Sequence, residues 1–268
     1  MNYDKYEYLL VDVDAEGVCT VTMNRPEQLN PAGGAMHPEL ERIWGDINED
    51  PRVKAVVFTG AGRAFSAGGD LKGMAARVGT PENFRHALQA PAHTRRLWQN
   101  MLELRPPLVA AVNGDAMGLG CTLALFCDIT VISETARIGD THVKVGLVAG
   151  DGGAVIMPLL IGMAKARDLL LRGRVLSGKE AQEIGLITHV RPQDQVLAEA
   201  KAIARELAAL PHNAVAWTKL SVNKSLKDQL NLVIDTSMAF EMLTMLSNDH
   251  AAAVKAFVEK RKPEFKGD

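Results

Sequence analysis

The chain has 268 residues, 47% of them hydrophobic, and 30 basic against 32 acidic side chains give a formal charge of -2. It can bury a large core, and the well-mixed charge leaves no field of one sign to recommend nucleic acid or an anionic membrane surface as a partner. No apolar run is long enough to span a bilayer. The start MNYDKYEYLLVDVD is polar and acid-bearing, unlike a signal or transit peptide. Cys19, Cys121 and Cys127 lie in apolar surroundings without CxxC or metal-type spacing, so reduced core thiols in a cytoplasmic protein are expected.

In chain order, Tyr8 to Val13 and Val18 to Met23 alternate around Ala15-Glu16-Gly17 and predict a hairpin. Met36 to Asn48 carries apolar residues at helical spacing, and Val53 to Thr59 is a continuous β-rich run. Leu108 to Val112, Ile129 to Ile132 and Leu186 to Val190 predict further strands. Between them, Cys121 to Phe126, Ala154 to Ile161 and Lys165 to Leu171 predict helices. This alternation argues for α/β layers with mainly parallel strands. From about Gln193 the pattern turns almost wholly helical: Val196 to Leu210, Asn213 to Asp228, Leu230 to Ser247 and Asp249 to Lys260, with polar breaks at Lys227-Asp228 and Asn248-Asp249. The division expected is an α/β core over 1–192 and a helical region over 193–268, part of whose leucine and alanine surface is expected to lie between subunits.

Two glycine-rich stretches, AFSAGGDLKGM (64–74) and NGDAMGLGC (113–121), each come directly after a short apolar strand and open a helix. Alone, either is an ordinary structural turn. As a pair, they can aim two peptide N-H groups at one oxygen, the arrangement that stabilises an enolate formed from a thioester carbonyl. Neither contains GxGxxG or GxxxxGK[ST], so nucleotide fingerprints do not apply. Ser66 lacks a GxSxG context, and His37, His86, His93, His189, His212 and His250 show no metal-ligand spacing. No metal and no cofactor are expected.

The segments AFSAGGDLKGM, PLVAAVNGDAMGLGCTLALFCDI and AFVEKRKPEF strongly resemble the enoyl-CoA hydratase/isomerase family, the crotonase superfamily, over nearly the whole chain. The resemblance implies a spiral ββα core with a C-terminal helical trimerisation part. It also implies packing as a homotrimer or a hexamer made of two trimers, and acyl-CoA thioesters as substrates. Residue by residue, it implies oxyanion donors at the backbone N-H of Gly69 and of Leu119, the latter at a place where relatives usually carry glycine. Ala67 would meet the adenine by its backbone, beside Gly68. Arg25 and Leu29 would line the CoA path, Lys72 would meet a phosphate, and Phe257 and Lys260 would reach CoA from a neighbouring subunit. Lys260-Arg261-Lys262 equally suits a solvated helix end, where cations meet the negative end of the dipole. The segment from Leu71 to Pro91, with Met74, would wall the acyl chain.

The two glutamates that handle water in the hydratases are replaced here by Thr122 and His142. Threonine is neither a useful acid nor a useful base at neutral pH. Compensation is expected in IGDTHVKVGLVAGDGG (138–153), where a fold-back would let His142 and Asp151 hydrogen-bond. Asp151 could instead cap the helix from Gly152. The resemblance places a working aspartate at Asp151 in dienoyl-CoA isomerases and carbon-carbon bond hydrolases, and an acid at Glu241 in the latter, whose second histidine is Leu119 here. Hydration, double-bond isomerisation and cleavage of a β-dicarbonyl all stay open, as does an acyl-CoA binding protein without turnover.

Overall fold

The computed structural model describes residues 1–268. Its strands are β1 Leu9–Val13, β2 Val18–Met23, β3 Ala55–Gly60, β4 Ala64–Ser66, β5 Leu108–Val112, β6 Asp115–Met117, β7 Ile129–Ser133, β8 Arg137–Gly139, β9 Leu176–Ser177 and β10 His189–Arg191. Its helices are α1 His37–Asn48, α2 Leu71–Arg77, α3 Pro81–Glu103, α4 Leu119–Leu125, α5 Gly153–Arg172, α6 Gly178–Glu183, α7 Val196–Ala209, α8 His212–Met245 and α9 Asn248–Val258. The hairpin β1-β2 opens a six-stranded sheet in the order β1-β2-β3-β5-β7-β10, parallel from β2 onward.

Burial on both faces explains the unbroken apolar runs of the central strands. Ala55, Val57, Val109, Ala111 and Val131 face a cluster completed by Val196, Ala200 and Ala204 of α7. The alternate residues Val56, Phe58, Ala110, Val112 and Ile132 face the main core with Trp44, Phe65 and Trp98. The first helix after residue 192 therefore covers one face of the large sheet.

A second sheet, β4-β6-β8-β9, is built from strands of two or three residues. Each is too short to carry a period-2 signature, and none is legible in the sequence. Their pairing aligns the turns at their ends: Ser66 lies beside Ala116, and Met117 beside Gly139, in parallel register. Three successive units of long-sheet strand, short-sheet strand and helical turn (β3-β4-α2, β5-β6-α4, and β7-β8 with a 3-10 turn at His142–Val145) thus end side by side. The turns beyond Ser66, Met117 and Gly139 are delivered to one edge of the molecule.

Two predicted helix boundaries differ. The break at Lys227-Asp228 does not occur, and α8 runs unbroken for 34 residues. Lys227 bonds Glu103 at 2.5 Å from the helix surface and Asp228 is exposed, so polarity there marks a solvent face and no stop. The segment from Leu71 to Pro91, expected to wall the acyl chain, divides between α2 and the first part of α3, which continues through Pro91 to Glu103. α5 joins two predicted helices across a kink at Gly162, φ 77°.

Candidate active site

The first turn leaves β4 through Ala67, Gly68 and Gly69 and enters α2, capped by Asp70, whose Oδ1 accepts from the Gly73 N-H at 3.0 Å. Gly68 has φ +89°, and a Cβ there would collide with the Met117 carbonyl oxygen and lie 3.3 Å from the Leu119 nitrogen. Only glycine lets the two turns approach this closely. The second turn bends at Gly118, φ +51°, into α4, whose first residue is Leu119. The first N-H groups of a helix lack intrahelical partners, and neither Leu119 nor Gly69 donates to a protein acceptor. Both residues line a cavity of about 380 Å³ together with His142, Asp151, Met238, Glu241 and Met242.

The third turn carries His142. Its Nδ1 lies 2.6 Å from Asp140 Oδ1 and its Nε2 lies 3.2 Å from Asp151 Oδ2. All three are buried. Burial by itself opposes a charged ring, but the carboxylates of Asp140 and Asp151 outweigh it and hold the His142 pKa well above the usual imidazole value. Burial likewise opposes the charged Asp140, and His142 overrides it, holding that carboxyl below its ordinary range. The three side chains are close enough to hold a metal ion between them. With both ring nitrogens facing carboxylates, however, the imidazolium donates at each and keeps no lone pair for a metal.

Asp151 is held from two further directions. The Thr122 hydroxyl donates to Oδ1 at 3.2 Å, and the Trp98 indole N-H donates to the Asp151 carbonyl at 2.6 Å, with the indole stacked on Phe126. The expectation that Asp151 could cap the following helix fails: α5 begins at Gly153, its cap is Gly152, and no side chain fills that role. The Asp151 carboxyl points instead to His142 and Thr122. Thr122, placed where an acid is usual in the resemblance, orients a carboxylate supplied by another segment.

Glu241 is buried on α8 in the cavity wall. A Cβ added at Gly150 would lie 2.8 Å from its Oε2, so the carboxyl packs against that backbone, and Oε2 has no hydrogen-bond partner. Burial, with Asp151 and Asp140 adding to it against the opposing charge of His142, pushes its pKa up to about 8. The sequence held a signal for this: Ile234, Met238, Glu241, Met242 and Met245 fall on one helical stripe, all buried.

Met74 of α2 lies in the wall. Ala67 is exposed, its N-H donating to the Leu29 carbonyl at 2.8 Å, and Leu29 turns through φ 62°. Arg25 sits over the Tyr8 ring and bonds Gln28 at 2.6 Å. Lys72 is exposed on the outer side of α2, and Phe257 and Lys260 are exposed at the end of α9, away from the cavity lining. Sequence reasoning missed Asp140, Arg77 and Trp98. It also set aside His37, His86 and His93, which the fold gathers in the lining of the same cavity as His142. Asp140 stands two residues before His142, a spacing that could have suggested an orienting carboxylate.

The family model for enoyl-CoA hydratase/isomerase matches residues 14–268. The chain belongs to this family. It is 34% identical over 261 residues to the probable enoyl-CoA hydratase of Mycobacterium leprae, covering 97% of this chain and 98% of that protein. It is also 34% identical over 269 residues to the 1,2-epoxyphenylacetyl-CoA isomerase of Escherichia coli, covering 97% and 99%. Among solved structures, an enoyl-CoA hydratase/isomerase from Mycobacterium paratuberculosis superposes with a TM-score of 0.88 at 37% identity, covering 94% of this chain and 99% of that one. The crotonase-type α/β fold expected from the sequence is therefore the fold of this chain. No helix is long and apolar enough to cross a membrane.

Proposed function

We propose that the protein binds an acyl-CoA thioester and moves a proton at the carbon next to its carbonyl, as an enoyl-CoA hydratase or isomerase with a rebuilt acid-base set. The observation that carries this reading is that Gly69 and Leu119, whose amides have no protein acceptor, line the same cavity as the His142–Asp151 pair. When a proton leaves that carbon, or water adds to the conjugated double bond, negative charge grows on the thioester oxygen. Two N-H groups fixed before the reaction stabilise it, each worth about 3 kcal/mol of barrier. The Asp151 carboxylate receives the proton, His142 holds that carboxylate in charge register, and Asp140 fixes the ring. In isomerisation the same proton returns to the far carbon of the enolate. In hydration the proton lost by water goes to the cluster, and the enolate takes one back.

A second reading, cleavage of a β-dicarbonyl, is favoured by Glu241, whose carboxyl stays protonated at neutral pH and can supply the proton that an enolate leaving group needs. The deciding experiment incubates the protein in D2O with crotonyl-CoA, a longer enoyl-CoA and a β-dicarbonyl, with Asp151→Asn alongside, and tracks products by mass. Deuterium at the carbon next to the carbonyl, or gain of water, lost in the variant, is the expected result. Cleavage products would select the second reading. Tight binding with no product from any would leave a binding protein. Assembly as a trimer or hexamer fits the exposed Trp217, Leu232, Phe240, Leu243 and Phe257 of the last two helices. A monomer of 29.0 kDa in solution would overturn that part.

A further inference from the structure

Besides the His142 cluster, α2, α3 and the start of α1 line the cavity. On α2 the positions 70, 74 and 77 share one face, so Asp70, Met74 and Arg77 line the cavity while Lys72 points away. Arg77 has no ion-pair partner among the carboxylates of the chain, and its Nε is buried without an acceptor. Asp70, which precedes this helix, caps it through Oδ1, and its Oδ2 lies on the same side of α2 as Arg77 without forming an ion pair with it. Beside Arg77 stand His86 and, further along the wall, His37. Burial first, and then the neighbouring cations, hold His86 below the usual imidazole value, and burial pushes His37 down to about 4. This wall therefore sets the Arg77 guanidinium near Asp70, whose Oδ1 is bonded to the Gly73 N-H, and beside the imidazoles of His86 and His37, both held towards the neutral form.

A hydrocarbon acyl chain placed against this wall would take water from the guanidinium and give nothing in return. A buried polar donor left unpaired costs about 1–3 kcal/mol, and more for a charged one. A carboxylate removes the penalty, because it meets the planar guanidinium with two parallel N-H to O bonds. We infer that the cavity takes an acyl group that carries its own carboxylate, held by Arg77 in the cavity that His142 also lines, so that the preferred substrates are CoA thioesters of dicarboxylic acids. The inference rests on the acyl-CoA reading above and names the substrate class for that site. The other anion a CoA thioester brings is a phosphate of the CoA moiety, and the test separates the two.

The test uses saturated thioesters, which bind without reacting: succinyl-, adipoyl- and suberoyl-CoA against butyryl-, hexanoyl- and octanoyl-CoA, with free CoA, titrated by calorimetry into the whole protein. One dicarboxylic thioester is expected to bind at least ~10-fold tighter than its uncharged partner of equal length. Arg77→Gln is expected to abolish that preference while changing the affinity for the uncharged thioesters and for CoA less than about twofold, and Arg77→Lys to restore part of it. Arg77 ends a half-exposed helix, so both variants should keep the far-ultraviolet spectrum and melting temperature of the parent, checked in the same preparations. Equal weakening of every ligand, CoA included, would assign Arg77 to a phosphate and overturn the inference. So would a parent protein that binds both series equally. Failure of all thioesters and of CoA to bind would overturn the acyl-CoA reading itself, a result distinct from either.

Discussion

The two glycine turns are built alike and packed differently. Each leaves a short strand of the small sheet, bends through a glycine of positive φ and opens a seven-residue helix. In α4 every residue is buried, whereas in α2 none is. One amide is therefore cast into the core, and the other is carried by a helix that only leans on its neighbours. Opening free energy scales with the density of buried contacts, so α2 is freer to move than α4 and the His142 turn, which, on the proposed reading, lets it adapt to an acyl group.

That contrast can be broken most directly at Gly68, where the two turns touch. Gly68→Ala would drive a methyl into the Met117 carbonyl and strain a backbone at φ +89°. Turnover should fall by about a thousandfold, because both proposed oxyanion donors shift together, as read by steady-state kinetics. The control is Gly79→Ala just beyond α2, where φ is +74° but nothing lies within 4 Å of the new Cβ. It should cost only about 1 kcal/mol in thermal unfolding. Equal effects of the two substitutions would erase the distinction between the fixed and the adaptable turn.

The third turn is sharpened by Asp140→Asn, which keeps the shape but removes the charge facing His142 Nδ1. A loss of roughly 10²–10⁴ in kcat with little change in KM is expected if Asp140 positions a working proton carrier. Next comes Glu241. Its folded pKa, about 8, lies above the value of a free carboxyl, so the neutral form is the one that folding favours. Its stabilising contribution is complete below the unfolded pKa and is lost as pH rises towards about 8. Between pH 5 and 8 the parent should therefore lose on the order of 3 kcal/mol that Glu241→Gln does not lose, measured by denaturant unfolding across that range. A parallel pH dependence in both proteins would refute the buried neutral acid. The smallest effect belongs to Lys72→Ala on the outward face of α2. CoA affinity should weaken by less than about tenfold, increasingly masked by added salt.

The legibility of the fold divides along the same line. The hairpin, the runs of β3, β5 and β7, and α1 are readable because each satisfies its own periodicity. The small sheet is not, because strands such as Arg137–Gly139 gain their structure from a neighbour, here Met117 beside Gly139, and carry no pattern of their own. At the site, the approach of His142 to Asp151 is foreseeable from the glycine-bounded loop between them. Asp140 needed the short strand β8 to be seen ending at Gly139. Pro91 is tolerated inside a 23-residue helix whose remaining turns pack on α1 and α8. Asp151 illustrates the limit of local rules: capping chemistry suits its position, yet the tertiary pull of Thr122, His142 and Trp98 decides where it sits.

The bond from Trp98 makes the molecule its own optical sensor. The chain has three tryptophans: Trp44 in the core, Trp217 with 60% of its surface exposed, and Trp98, whose indole N-H holds the Asp151 carbonyl. Indole emission responds to the strength of the bond made by its N-H and to charge nearby. Once Trp217 is replaced by Phe, the remaining signal comes from Trp44 in the core and from Trp98, bonded to the backbone of a cavity-lining residue, so a ligand that shifts Asp151 is expected to change the emission, without a label and without turnover.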